Sequence, residues 1–388
     1  MTNVVNHFKW RSRRAQRPRR VLFGLPEGVA RSPGGCTNIA GMAGGSLFTR
    51  PEYLEPLHAS GCASPHSGWT RVPLQAGDAS APCYEKSHSW GEFVFDFEIA
   101  AAYRDHGLRY YPKLVCCVPF TPVAGPRLLA RDEAGQRDLA HALCERAREM
   151  YSSAHVLFAT QAESALLASL GWIERVQMRY AWRNDGYASF DDFLARLSSK
   201  RRKNIKRERR LVAETGFEIS WRSGAQFTDA QWPRVFALYA STYRARGQPP
   251  YFNEQCLRAW ARNFGDAMQF CLALRGDEIV AMAFFFRDGD CLYGRHWGGD
   301  EAINGLHFEL CYYQGIEYCI ANRIARFDAG VQGEHRVLRG FEAELSHSAH
   351  FFVHDAFRAA IAQAFAHETE QLQARVRALR EYAYRDPD

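Results

Sequence analysis

Three apolar runs of strand length follow one another at 269–274, 279–287 and 291–297. The joints are Arg275-Gly276-Asp277 and Asp288-Gly289-Asp290, short polar turns of the kind that close hairpins. A helix is predicted over 306–322, with Phe308, Cys311, Tyr312, Ile316, Cys319 and Ile320 repeating along one face. Strands at 326–330 and 349–353 and a terminal helix at 356–384 complete the block. A meander that passes into a helix and then further strands commits the chain to an α/β (α+β) fold with a mixed sheet.

The earlier part repeats the theme. A helix at 50–59 and a coil at 60–82, rich in Gly, Ser, Pro and Ala, precede strand 113–120, helix 137–150, strand 155–160, helix 162–170 and strand 173–182. Between the halves, Ser189 and Asp192 make an acidic capping box that opens one continuous helix over 190–214, and further helices are predicted at 227–246 and 253–264. The 388 residues accommodate two domains, divided as 43–185 and 186–388.

Charge excludes a globally basic nucleic-acid binder. The net +6 arises in residues 1–42, which hold eight basic residues and one acid; the remainder has 41 basic against 42 acidic residues. That Arg-rich segment, too broken by Pro26 for a secretory apolar region, is expected to be a disordered or spurious extension. Eleven scattered cysteines with no Cys-x-x-Cys pair argue for reduced thiols, hence a cytoplasmic setting, and against a zinc ribbon. No apolar run reaches the roughly 18 residues of a membrane span.

Several segments carry a family resemblance. Ser198-Ser199-Lys200-Arg201-Arg202-Lys203-Asn204-Ile205-Lys206 resembles a segment typical of Fem proteins. Lys86-Ser87-His88-Ser89-Trp90-Gly91-Glu92-Phe93-Val94-Phe95-Asp96, Tyr110-Tyr111-Pro112-Lys113-Leu114 with Pro119-Phe120-Thr121-Pro122, and His307 through Glu317 are similar to the FemAB-like group of peptidoglycan biosynthesis or recognition proteins. The resemblance spans about residues 45–385. It implies two tandem GNAT-like (acyl-CoA N-acyltransferase fold) domains, the first degenerate. It also implies transfer of an acyl or aminoacyl group to a primary amine, with acyl-CoA or aminoacyl-tRNA as co-substrate and no permanently bound cofactor. The acceptor is then a small-molecule or cell-wall-precursor amine, and tRNA is a further partner. One departure concerns the donor: where acetyl-CoA enzymes carry a glycine-rich pyrophosphate loop, this chain reads Arg295-His296-Trp297-Gly298-Gly299-Asp300, whose aspartate repels phosphate, although the two glycines suit an anion-binding nest.

Candidate chemistry follows from polarity and resemblance together. Acyl transfer to an amine needs a base and donors for the oxyanion, and Glu309, His307 and Glu334 are the acid–base candidates. Tyr312, Gln332 and His335 are candidate substrate ligands, the last two in the glycine-bounded stretch 328–335 after a strand end. Lys86, His88 and Glu92 form a second polar group that also fits a solvated edge strand. Arg202, Lys203 and Lys206, on the basic run 200–210, suit phosphates or merely a solvated helix face. His347, His350 and His354 fall on a strand, so no metal site is expected. A non-catalytic recognition protein for a cell-wall precursor or RNA is the rival expectation, and an acetyl-CoA acetyltransferase a third.

Overall fold

The computed structural model describes residues 45–384 apart from 301, 302, 304 and 332; segment 1–42 and Gln332 lie outside the described residues. Helix α1 (Pro51–Ala59) leads to β1 (Trp69–Arg71), the two-stranded hairpin β2 (Leu74–Ala76) and β3 (Ala79–Ala81), and β4 (Cys83–Lys86), which pairs with β1. The coil expected at 60–82 is thus partly strand. Runs of three residues are too short for a period of two to register. Helix α2 (Phe97–Asp105), β5 (Lys113–Cys116), α3 (Glu133–Met150), β6 (Ser153–Ala159), α4 (Gln161–Ser169) and β7 (Ile173–Arg183) complete the first half. Local chemistry sets the helix starts: the Asp132 carboxylate accepts from Gly135 N at 2.9 Å, and Thr160 and Glu163 form a reciprocal capping box.

The expected single helix over 190–214 is two, α5 (Phe190–Ala195) and α6 (Ser199–Ala213). The break lets Phe193, Leu194 and Leu197 all reach one core, and the Arg202 guanidinium donates to Leu197 O at 2.5 Å across it. Strand β8 (Glu218–Ser223), helices α7 (Trp232–Arg244) and α8 (Glu254–Phe264), and the meander β9 (Met268–Arg275), β10 (Glu278–Asp288) and β11 (Cys291–Gly299) follow. Helix α9 (Leu306–Phe308) runs through a π-helical turn, Glu309–Tyr313, into α10 (Gln314–Ala321). The chain closes with β12 (Arg326–Gly330), β13 (Glu342–Phe352) and α11 (Asp355–Tyr384). β13 is far longer than the 349–353 run. Its first part carries Glu344, Ser346, His347 and Ser348, whose polarity hid the strand.

Eleven strands form one sheet in the order β1-β4-β5-β6-β13-β7-β12-β11-β10-β9-β8. The final strand of the chain lies between β6 and β7, while β7 separates it from β12. Each half therefore completes its sheet with a strand from the other, and the antiparallel β13–β7 pair, in register from Glu342↔Ala181 to His350↔Ile173, is the seam. Within each half one pair runs parallel, β5 with β6 and β11 with β12. Alternation along β10 shows the layers: Met282, Phe284 and Phe286 join the core under α1, α7 and α8, and Ala281, Ala283 and Phe285 join the core under α5, α6 and α10.

Candidate functional site

Strands β11 and β12 pair only through Cys291↔Arg326, Leu292↔Phe327 and Tyr293↔Asp328, and then part. The parting begins where β11 carries a bulge: Phe285 faces Gly294 and Phe284 faces His296, so Arg295 is the extra residue. Bulges re-aim side chains, and here Arg295, His296 and Trp297 line a cleft of about 100 Å³ with His307, Tyr312 and Arg336. The π turn at Glu309–Tyr313 carries Tyr312 to the same place, a distortion often met at functional sites.

Tyr312 is the centre of the polar contacts. Arg336 Nε donates to its hydroxyl at 3.1 Å, and the hydroxyl lies 3.2 Å from His335 Nε2. The His307 ring meets Tyr312 edge-on at 5.5 Å and Trp297 at 5.4 Å. Burial drives the His307 imidazole down to about 3, helped by His335, Arg336 and Arg339. The more exposed His335 is lowered to about 4 by desolvation and by Arg339 and Arg336. Both rings are neutral near pH 7, while burial raises the Tyr312 phenol and keeps its proton in place.

The corresponding parting of β5 and β6 is filled. Gly125 N donates to Phe158 O at 3.0 Å, and the buried Arg127 side chain donates to Leu157 O at 3.0 Å, Gly125 O at 3.1 Å and Pro126 O at 3.0 Å. A guanidinium and a loop occupy the space that stays open between β11 and β12.

The candidate residues fall into separate places. His307, Tyr312 and His335 come together at the cleft. Glu309 is 1 % exposed and turned to the other side of its turn, where Arg209 holds both oxygens at 3.2 and 3.0 Å and Gln314 donates at 2.8 Å. Arg209, in the same basic run 200–210 as Arg202, Lys203 and Lys206, points inward to make that pair and a second one with Glu317 at 2.6 Å. Glu334 is exposed and paired with Arg375 at 2.7 Å. Arg202, Lys203 and Lys206 line a shallow open hollow of about 560 Å³ along α6, with Lys206 tied to Asp191 at 2.5 Å.

Lys86 and Glu92 belong to a buried ionic cluster in the first half. Lys86 sits 3.7 Å over the Trp69 ring, lowered by burial to about 8, and donates to Trp90 O at 3.2 Å. Lys113 bridges Glu92 at 2.8 Å and Asp96 at 2.5 Å. Burial raises Glu92 to about 7; it works in the same direction on Asp96, where Lys113 and His155 overcome it and hold the carboxyl at about 2. His88 lies outside this cluster, its Nδ1 accepting from Trp90 N at 3.2 Å. His350 contacts His155 at 2.7 Å and His347 contacts Glu174 at 2.9 Å. Gly298 and Gly299 form no nest: both are in extended β11, and a Cβ on Gly298 would lie 1.8 Å from Leu238 O, so this glycine serves the packing of α7.

Sequence reasoning passed over Arg336, Arg295 and His296 as ligands, and Lys113 as the hub of the buried cluster. The sequence suggests a phosphate loop at Arg295-His296-Trp297, whereas the run is part of β11 beside the cleft, with Arg295 at the bulge. Nothing in the spacing singles out Arg336, which a short turn after Gly333 brings to Tyr312.

The fold is that of tandem GNAT-like units joined in one sheet, and it is shared with FemX, at a TM-score of 0.50 and 10% identity over 82% of this chain and 95% of that one. L-PGS from Bacillus licheniformis aligns at 0.48 and 10% identity over 84% and 99% of the two chains. A tandem GNAT protein from the clavulanic acid biosynthesis pathway aligns at 0.38 and 10% identity over 79% and 97%. No curated protein matches the sequence. Among the described residues no helix is long and apolar enough to cross a membrane. Residues 37–386 match the FemAB-like family, described as peptidoglycan biosynthesis/recognition, and the chain belongs to that family.

Proposed function

We propose that the chain is an N-acyltransferase that moves an acyl or aminoacyl group from an activated donor, an acyl-CoA or an aminoacyl-tRNA, to a primary amine in the cleft between β11 and β12. The carrying observation is the set of neutral imidazoles, His307 and His335, beside a phenol that Arg336 already hydrogen-bonds. The amine nitrogen attacks the donor carbonyl, its proton passes to the His335 imidazole, and the bond to sulfur or ester oxygen breaks. Tyr312 gives its proton to the leaving group and regains one from His335, 3.2 Å away. Arg336 stabilises the charge that develops, and positioning supplies the rest of the barrier reduction. Glu309 is left with a structural part, since its ion pair with Arg209 holds α6 against the π turn and its other partner is Gln314 of α10. The acceptor is a cell-wall-precursor amine, in keeping with the family description, and the reaction takes place in the cytoplasm. The basic hollow on α6, with Arg202, Lys203 and Lys206, suits the phosphates of either donor.

The test is donor consumption in the presence of amine acceptors, followed as free thiol from an acyl-CoA and as deacylated tRNA from an aminoacyl-tRNA. Turnover of one donor supports the reading. Tight acceptor binding with neither donor consumed would favour a recognition protein instead.

A further inference from the structure

Two thiols meet where the turn after α1 packs on the start of α8. Asn253 N, at the N-cap of α8, donates to Cys62 Sγ at 3.3 Å, and Ser60 Oγ donates to it at 3.1 Å. The side chain of Cys256, in the first turn of α8, hydrogen-bonds the same sulfur. These groups are fixed in turn: Asn253 Nδ2 donates to Ser60 O at 2.8 Å, and Asn253 Oδ1 accepts from Cys256 N at 3.0 Å. One sulfur thus receives three donors at the positive end of an 11-residue helix, an arrangement that favours thiolate over thiol.

Cys62 carries charge where thiols sealed in the cores do not. The hydrogen bond from Cys256, with those from Ser60 and Asn253, holds Cys62 at about 6 against the opposing pull of burial. Burial pushes Cys117, Cys271 and Cys311 up, and it pushes Cys256 up as well, with the Cys62 sulfur adding to the effect. Cys62 is 8 % exposed and follows Gly61, which borders open space, whereas Cys256 behind it is fully buried. Cys83 and Cys116 also face each other, across β4 and β5, but both are sealed in a core and burial raises Cys116. A small oxidant therefore meets Cys62 first, with Cys256 already in contact.

We propose that Cys62 and Cys256 are a peroxide-reactive pair, in which Cys62 is the thiol oxidised and Cys256 the one that closes a disulfide with it. The Cys62 thiolate attacks one oxygen of a hydroperoxide and the O–O bond breaks. The sulfur becomes a sulfenic acid, and the other oxygen leaves with the proton that Cys62 gave up. The Cys256 sulfur then attacks the sulfenic sulfur, and the hydroxyl departs with the Cys256 proton as water. One hydroperoxide is reduced and two thiols are oxidised. A thiol reductant reverses the bond by exchange, as in the transient disulfides of reducing compartments. The bond ties the turn after α1 to α8, helices already joined by Tyr53 stacking on Trp260 at 4.5 Å and by Trp260 Nε1 donating to Tyr53 O at 2.8 Å. Neither thiol lines the transfer cleft, so the pair stands apart from the reaction proposed above.

Peptide mapping of the full, reduced chain after exposure to hydrogen peroxide tests it. The expected product is a Cys62–Cys256 cross-link that dithiothreitol reverses. Cys256→Ser, whose hydroxyl keeps a donor beside Cys62, should instead accumulate a sulfenic acid at Cys62, trapped by dimedone, and Cys62→Ser should leave Cys256 unoxidised. A cross-link forming first between Cys83 and Cys116, a sulfenic acid appearing first at another cysteine, or survival of both thiols in peroxide sufficient to oxidise free cysteine would overturn the assignment. The wild-type map needs no variant, so a substitution that prevents folding leaves the test decisive.

Discussion

Tyr312 and Arg209 show how two polar residues of one region come to have different work. The Tyr312 hydroxyl faces the cleft, so Tyr312→Phe keeps the ring packing and removes the hydroxyl, with its proton and its contacts to Arg336 and His335. Its kcat is expected to fall about 100-fold or more, the usual scale for losing a general acid, with the far-ultraviolet circular dichroism unchanged. Arg209 faces inward, and Arg209→Met leaves the Glu309 carboxylate buried without its partner. That variant should lose about 3–5 kcal/mol in urea unfolding, the range for breaking a buried pair from one side; a loss within error of zero would show the pair to be solvated. The histidines give a pH signature. Unfolded imidazoles take up protons near pH 6.5, whereas burial lowers His155 and His307 to about 3 and His335 to about 4, and pushes His296 and His350 well below their ordinary value. In the window between, the unfolded chain binds more protons, so stability falls as pH drops from about 6.5 towards 3. Glu92, raised to about 7, and Glu309, also raised by burial, work in the opposite direction, but they are two groups against five. A urea midpoint that declines from pH 7 to pH 5 is predicted, and a flat one would contradict these assignments. For the same reason kcat/KM should show no enzyme limb near 6.5.

At the scale of elements, the close approach of α7 to β11 depends on Gly298, where an added Cβ would sit 1.8 Å from Leu238 O and 3.0 Å from Tyr239 N. Backbone on both sides cannot yield as a flexible side chain would, so Gly298→Ala should displace α7 and cost about 1–3 kcal/mol or more, as overpacking does. A lowered melting midpoint checks this, and an unchanged one would mean that the helix slides freely. The meander was legible in the sequence because its apolar runs are long and its turns carry glycine between charged residues. The break before α6 was not. A dense run of cations reads as uninterrupted helix, and only the demand that Phe193, Leu194 and Leu197 reach one core interrupts it. β13 was legible only at its end, because Glu344 is hidden by ion pairs with Arg183 and Arg326 at 2.6 Å each that no local pattern announces. The bulge at Arg295 and the π turn at Tyr312 belong to the same class: both are imposed by neighbours, and together they bring the cleft residues into one place.

The whole molecule is built as an exchange, with β13 completing the first half and β7 the second. Residues 45–185 alone would leave β6 unpaired on its β13 side and β7 unpaired on both sides, exposing three strand edges. That fragment is predicted to show no cooperative transition, while the full chain unfolds as one unit; an independent, cooperative melt of the fragment would contradict the exchanged seam as a source of stability. The two-half plan and the family could be read from segments spread along the chain. The asymmetry between the halves could not, because it rests on Arg127 closing one parting of strands while Arg295 and Arg336 line an open one. Polar residues alone did not separate the buried Lys113 cluster, the surface pair of Glu334 and the cleft around Tyr312, since the sequence carries no record of which side of a sheet or turn each faces. The most direct test of the cleft as the site of transfer compares donor consumption by the wild type, Tyr312→Phe and Glu334→Gln under the same conditions. The account predicts consumption of acyl-CoA or aminoacyl-tRNA by the wild type, a fall of about 100-fold or more in Tyr312→Phe, and a rate for Glu334→Gln close to that of the wild type. Equal rates for wild type and Tyr312→Phe, or a collapse confined to Glu334→Gln, would contradict it.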